Sequence, residues 1–274
     1  MTGKNGKTGY FKLCSRKGEI TPMKLTKTLH IFCLAAVCAA FLLTACGPEP
    51  TADEWMRRSL ASAKEAKWKR ALDQAENALA KAPGDTLANV LYAIALENNG
   101  RTEDAVNAAA RAGADSSCFI AQYTLGRLYF RQQKYDSCVK PLTLALELRP
   151  DDANTLILLA RAKLRLNTED ALNLNKRLLD LPQFKDSPFV YNELGVIMAL
   201  KNEPKKATPF FLKALSLDAD NPHLNLNTAI LYDYFLGNQM MAGTYYNSFL
   251  RLSANRRELL DEYKEVQTRL EILR

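Results

Sequence analysis

Few side chains in this sequence are placed to do chemistry, and the notable ones are a cysteine and four arginines. Cys46 follows a thirteen-residue apolar run, residues 31–43, and the small pair Thr44-Ala45. A cysteine there can act as a nucleophile and take a covalent group once its thiol is ionised. Arg127 and Arg131 stand four apart, which puts both on one face of any helix that carries them. Arg161 and Arg165 repeat that pair 34 residues later. Paired planar guanidiniums can grip carboxylates bidentately. Acid–base and metal chemistry have less to draw on. The one histidine after Cys46 is His223, and a lone histidine forms no ligand cluster. Glu193 and Asp233 are carboxylates with no nucleophile beside them, and no glycine-rich loop follows a strand to cradle phosphate. These residues imply neither an enzyme nor a metal site.

The segment ahead of Cys46 has the layout of an export signal. Met23 opens it, Lys24 and Lys27 make it positive, and the apolar run is short of the roughly 20 residues of a spanning helix. Residues 1–22 carry no pattern, so Met23 is the better start. Leu43-Thr44-Ala45-Cys46 resembles the bacterial lipobox. That resemblance implies a leader over residues 1–45 that is removed, and a diacylglycerol plus an N-acyl lipid on Cys46. No other cofactor is implied. Each buried methylene adds about 0.8 kcal/mol, so several chains would anchor the protein durably. Gly47 stands where an aspartate would imply retention at the inner membrane in enterobacterial lipoproteins. The implied location is therefore the outer membrane of a bacterial envelope, facing the periplasm. Residues 46–53 form the lipidated N-terminus and a short linker, which reaches at most about 25 Å.

The leader also explains the charge. Of the formal +7, residues 1–45 hold seven basic groups and one acid, leaving 30 basic and 29 acidic residues from Cys46 onward. A nearly neutral body has no general attraction for nucleic acid.

The body is organised by repetition. Helical patches are broken at Pro83-Gly84-Asp85, Gly113, Pro150-Asp151-Asp152, Pro182 and Asn221-Pro222. A small residue recurs as Ala71, Ala105, Cys138, Ala171, Ala207 and Ala242, at intervals of 34, 33, 33, 36 and 35. A fixed period of this length is the mark of a solenoid. Within residues 119–152 Leu125, Gly126, Tyr129, Tyr135, Ala145, Leu146 and Pro150 resemble the consensus of the tetratricopeptide repeat, a 34-residue helix-turn-helix. Leu125 recurs as Leu159 and Leu194, and Gly126 as Ala160 and Gly195. The resemblance implies an all-α, right-handed superhelix of about six units over residues 52–252. The match is weakest at Thr102 in unit two and Asn175 in unit four, where aromatics are usual. The sixth unit has one extra residue in its turn. Residues 253–274 read as a capping helix that covers the last apolar stacking face.

The same resemblance assigns the first helix of each unit to a concave, ligand-facing groove. Unit three would place Tyr123, Arg127, Phe130 and Arg131 there, and unit four Arg161 and Arg165. The four arginines form a two-by-two basic patch in this reading. Asn192, Glu193, Asn227, Asp233 and Tyr234 continue the groove downstream. Leu158, Phe189 and Glu193 replace the clamp residues of chaperone-binding relatives, so a chaperone tail is not the implied ligand. Cys118 and Cys138 fall at opposite ends of one hairpin, about 15–20 Å apart at 1.5 Å rise per residue. A disulfide needs about 7 Å or less, so none is expected, and Cys138 reads as a buried core residue. The functional expectation is a membrane-anchored adaptor that binds a protein or peptide partner and supports assembly of an envelope complex. Two alternatives remain open: a carrier of a peptide or glycan, and a pilotin-like lipoprotein of type IV pilus secretins. Neither the partner nor the oligomeric state is implied.

Overall fold

The structure is a computed structural model that describes residues 49–273. Cys46, the lipobox and the leader lie outside the described residues. From Ala52 onward the chain is helical, with no strand among the described residues. Twelve α-helices follow one another as six hairpins: α1 (Ala52–Lys64) with α2 (Trp68–Lys81), α3 (Thr86–Asn98) with α4 (Thr102–Ala112), α5 (Phe119–Arg131) with α6 (Tyr135–Leu148), α7 (Ala153–Leu166) with α8 (Thr168–Asp180), α9 (Pro188–Leu200) with α10 (Pro204–Leu217), and α11 (Pro222–Ile230) with α12 (Gln239–Ser253). A last helix, α13 (Leu260–Ile272), closes the stack.

Local signals set these boundaries. The first helices of most units are capped by side chains that accept from an orphan backbone N–H. Asp85 accepts from Ala88 N at 2.7 Å and Asp152 from Thr155 N at 2.8 Å. Ser187 and Asn221 do the same for α9 and α11, and Thr51 with Glu54 forms a full capping box on α1. The turns inside the hairpins use another device. Ala66, Gly100, Gln133, Asn202 and Gly237 each adopt a positive φ at the same place in the turn. Glycine does this without strain, which suits Gly100 and Gly237. Unit four omits the left-handed residue. Asn167 there ends α7 and caps α8 with its own side chain.

Packing follows the small-residue columns. Ala71, Ala105, Cys138, Ala171, Ala207 and Ala242 are all fully buried. So are the residues seven further on, namely Ala78, Ala112, Ala145, Leu178, Ala214 and Phe249. In the first helices Gly126 and Gly195 mark the closest approaches. A Cβ on Gly126 would stand 2.5 Å from Leu142 Cγ, and one on Gly195 would stand 2.9 Å from the Phe211 ring. Asn175, one of the weak consensus positions, is buried but donates to Ala171 O at 2.9 Å, so its amide is satisfied within α8. Cys118 and Cys138 are both free, and Cys138 is buried beside Tyr135.

Each second helix packs on the first helix of the next unit, and most successive first helices also touch one another. Successive second helices make no comparable contact. The first-helix side is therefore the tighter, inner face of the solenoid. Contact between first helices is closest at α1–α3 and least at α7–α9. Residues 181–187, with a short 3₁₀ turn at Pro182–Phe184, join α8 to α9 and account for the long 36-residue interval there. The inner face opens at that junction.

The extra residue of unit six lies elsewhere than the sequence reading put it. It is absorbed in the last turn of the first helix, where Leu231–Phe235 is π-helical and Leu236 N donates to Leu231 O at 3.1 Å. Leu259, Val266, Leu270 and Leu273 of the capping segment pack on Tyr246 and Phe249.

Candidate functional site

The inner face carries three arrangements of polar groups, one after another along the stack. The first joins α3 to α5. Glu97, whose side chain is only 4% exposed, accepts from both Arg127 nitrogens at 2.8 and 2.5 Å and also from Arg131. Both arginines of unit three are thus bound to one buried carboxylate of unit two. The two-by-two patch is not four free guanidiniums. Tyr123 and Phe130, placed beside it from the sequence, are half-buried. Tyr123 stacks on Phe119 at 5.9 Å, and burial pushes its hydroxyl pKa up. Phe130 packs edge-on to Tyr135 at 5.6 Å.

The second arrangement sits where α7 and α9 part. Arg161 lies over the Phe189 ring at 4.8 Å and faces Glu193 at 3.8 Å, beyond hydrogen-bond length. Its side chain stays 47% exposed, while that of Glu193 is 14% exposed. Burial raises the Glu193 pKa, and the nearby Arg161 and Arg165 charges oppose that rise. Arg165 is exposed and has no carboxylate within 4 Å among the described residues. Asn227 donates to Asn192 Oδ1 at 2.9 Å, linking units five and six. Arg161, Phe189, Asn192, Glu193, His223 and Asn227 line a cavity of about 460 Å³ at this place. It can offer a ligand amide donors and acceptors, a guanidinium and an aromatic face, but no nucleophile with an adjacent base.

The third arrangement corrects an expectation. Asp233 does not continue the groove. Its buried carboxylate accepts two hydrogen bonds from Arg269 of α13, both at 2.7 Å, and one from the Tyr246 hydroxyl at 3.0 Å. The Arg269 hydrogen bonds hold the Asp233 pKa down, followed by that of Tyr246. Tyr234 remains exposed, with Arg269 over its ring at 5.0 Å.

Sequence reading also passed over an apolar hollow next to this cavity. Val196, Leu200, Phe211, Ile230 and Phe235 line about 230 Å³, and Asn227 borders both spaces. The signal was present in the register. Val196 and Leu200 occupy in unit five the places that Arg161 and Arg165 occupy in unit four.

Residues 120–152, which are unit three, match the tetratricopeptide repeat model. No curated protein matches the sequence. Among solved structures, PilF of Pseudomonas aeruginosa superposes with a TM-score of 0.60 at 18% identity, over 80% of this chain and 97% of that one. YrrB, a TPR protein with an unusual peptide-binding site, gives 0.54 at 18% identity, over 69% and 97%. A tetratricopeptide repeat protein from Parabacteroides merdae gives 0.54 at 14% identity, over 85% and 90%. The fold is a tetratricopeptide repeat solenoid. Its inner face is the side on which Arg161, Asn192, Glu193 and Asn227 meet, and solenoids of this kind present extended concave surfaces.

Proposed function

We propose that the chain is a membrane-anchored adaptor that holds a segment of a partner protein along the inner face of units four to six and supports assembly of an envelope complex. The anchor in this reading is lipid on Cys46, and the body works in the periplasm close to the outer membrane. The observation that carries the reading is the Asn192–Asn227 pair, which lines one cavity with Arg161 and Glu193. Asparagine amides can hydrogen-bond an extended backbone without selecting its side chains. The likeness to PilF, which spans 97% of that chain, favours a second, narrower reading in pilus or secretin assembly. A free carrier of a peptide or glycan is the third reading, and it differs in leaving no large complex behind.

The test is crosslinking of the lipidated protein in its native membrane, with partners identified by mass spectrometry, against a variant carrying Arg161→Glu and Arg165→Glu. Arg127 and Arg131 are left intact because they hold Glu97. An adaptor enriches one membrane assembly, and the variant loses it. Enrichment that survives the substitutions moves the interface off the inner face. No enrichment in either sample favours the carrier.

A further inference from the structure

Two positions on each first helix face the groove, and their chemistry changes abruptly along the stack. The first holds Arg127, Arg161, Val196 and Ile230 in units three to six. The second holds Arg131, Arg165, Leu200 and, displaced one residue by the π turn, Phe235. The groove is basic for two units and aliphatic or aromatic for the next two. In the apolar half Leu200 is 55% exposed and Phe235 39%, flanking the 230 Å³ hollow. In the basic half one carboxylate, Glu97, serves two guanidiniums, and Glu193 faces Arg161 only at 3.8 Å. Each pair of arginines therefore meets one carboxylate, so positive charge remains on the face next to the hollow.

We propose that this face selects a partner segment that carries acidic residues beside one large apolar residue, the carboxylates at Arg131, Arg161 and Arg165 and the apolar side chain in the hollow under Leu200 and Phe235. The inference rests on reading the inner face as a peptide groove and adds what that peptide must contain. Charge complementarity chooses the occupant. The chain's own residues 1–45, with seven basic groups and one acid, have the wrong sign to fill the site. An apolar segment without acids would leave the guanidiniums unused, and an acidic one without an apolar residue would leave the hollow exposed.

A random dodecapeptide phage library panned on the full chain in mild detergent tests this. Enriched peptides are then measured by fluorescence polarisation against wild type, Arg165→Glu and Leu200→Glu. Both substituted residues are exposed, and circular dichroism confirms folding. The expected consensus joins acidic residues to a leucine or phenylalanine, and each variant weakens binding at least about tenfold, Arg165→Glu by removing a charge-assisted hydrogen bond and Leu200→Glu by placing a charge at the apolar hollow. Enriched peptides that are basic, lack either component, or ignore both substitutions overturn this inference while the groove remains a peptide site. A library that enriches nothing on wild type overturns the peptide-groove reading itself, and this inference with it.

Discussion

Gly126→Ala sets two large effects against each other, and the structure decides the sign. In an open helix interior the change stabilises by about 1 kcal/mol, because alanine is the better helix former. Here the new methyl would stand 2.5 and 2.6 Å from Leu142 Cγ and Cδ2, and 3.3 Å from the Leu142 backbone nitrogen. Cγ is a branch point next to the backbone, and Leu142 is fully buried, so relief requires α6 to move against α5. Overpacking of that kind costs about 1–3 kcal/mol, and the upper part of the range applies when the neighbour cannot swing away. The net expectation is a loss of about 1–2 kcal/mol once the propensity gain is subtracted. Urea denaturation followed by circular dichroism reads it as a lower midpoint with an unchanged slope. The same substitution should reverse sign in a Leu142→Ala background, where the methyl fills space that the truncation opens. Ala160→Gly, at the equivalent place in unit four, should also destabilise, by about 1–2 kcal/mol, through lost propensity and a lost buried methyl. A raised midpoint for Gly126→Ala in the wild-type background refutes the close-approach argument.

The remaining expectations concern titrating groups. Glu193 has its pKa raised by burial, so the folded state binds its proton more tightly than the unfolded chain, and stability falls as pH rises through that window. Glu193→Gln should therefore melt higher than wild type at pH 7, with the gap closing towards about pH 4; an equal gap at both values refutes it. Burial pushes the Cys138 thiol up to about 11, so iodoacetamide at neutral pH should modify half-buried Cys118 first and reach Cys138 only after unfolding, as peptide mapping will report. Cys138 alkylated in the native state would contradict that burial.

Much of the architecture was legible because repetition constrains it. The small-residue column from Ala71 to Ala242 needed only counting, since a larger side chain at any of those places would force two helices apart. What the sequence hid were contacts between units. Glu97 gave no sign that it would bind both Arg127 and Arg131, because the partners lie 30 and 34 residues away, and that register follows only from the stacking of α3 on α5. Asp233 was misplaced for the same reason, combined with the π turn that shifts the last residues of its helix. The apolar hollow was missed although its register was countable. Val196 and Leu200 stand in that column where units three and four have arginine.

Glu97 and Asp233 occupy the same place in their units, four residues after buried Ala93 and Ala229. Each is gripped by arginine from the next helix on the inner side, Glu97 by α5 and Asp233 by α13. The capping helix thus supplies what the first helix of a seventh unit would have supplied. Units three to five carry Phe130, Leu164 and Ala199 at that place, so no carboxylate of this register neutralises the arginines between the two staples. A staple fixes the angle between neighbouring units and consumes their charge; its absence leaves charge available to a ligand and the units freer to part. The open junction between α7 and α9 falls in the unstapled stretch, and so do Arg161, Arg165 and the apolar hollow. The residues that stiffen the two ends of the solenoid and those that can receive a partner are for this reason different sets, with Arg131, which touches Glu97 yet remains 61% exposed, at the border between them.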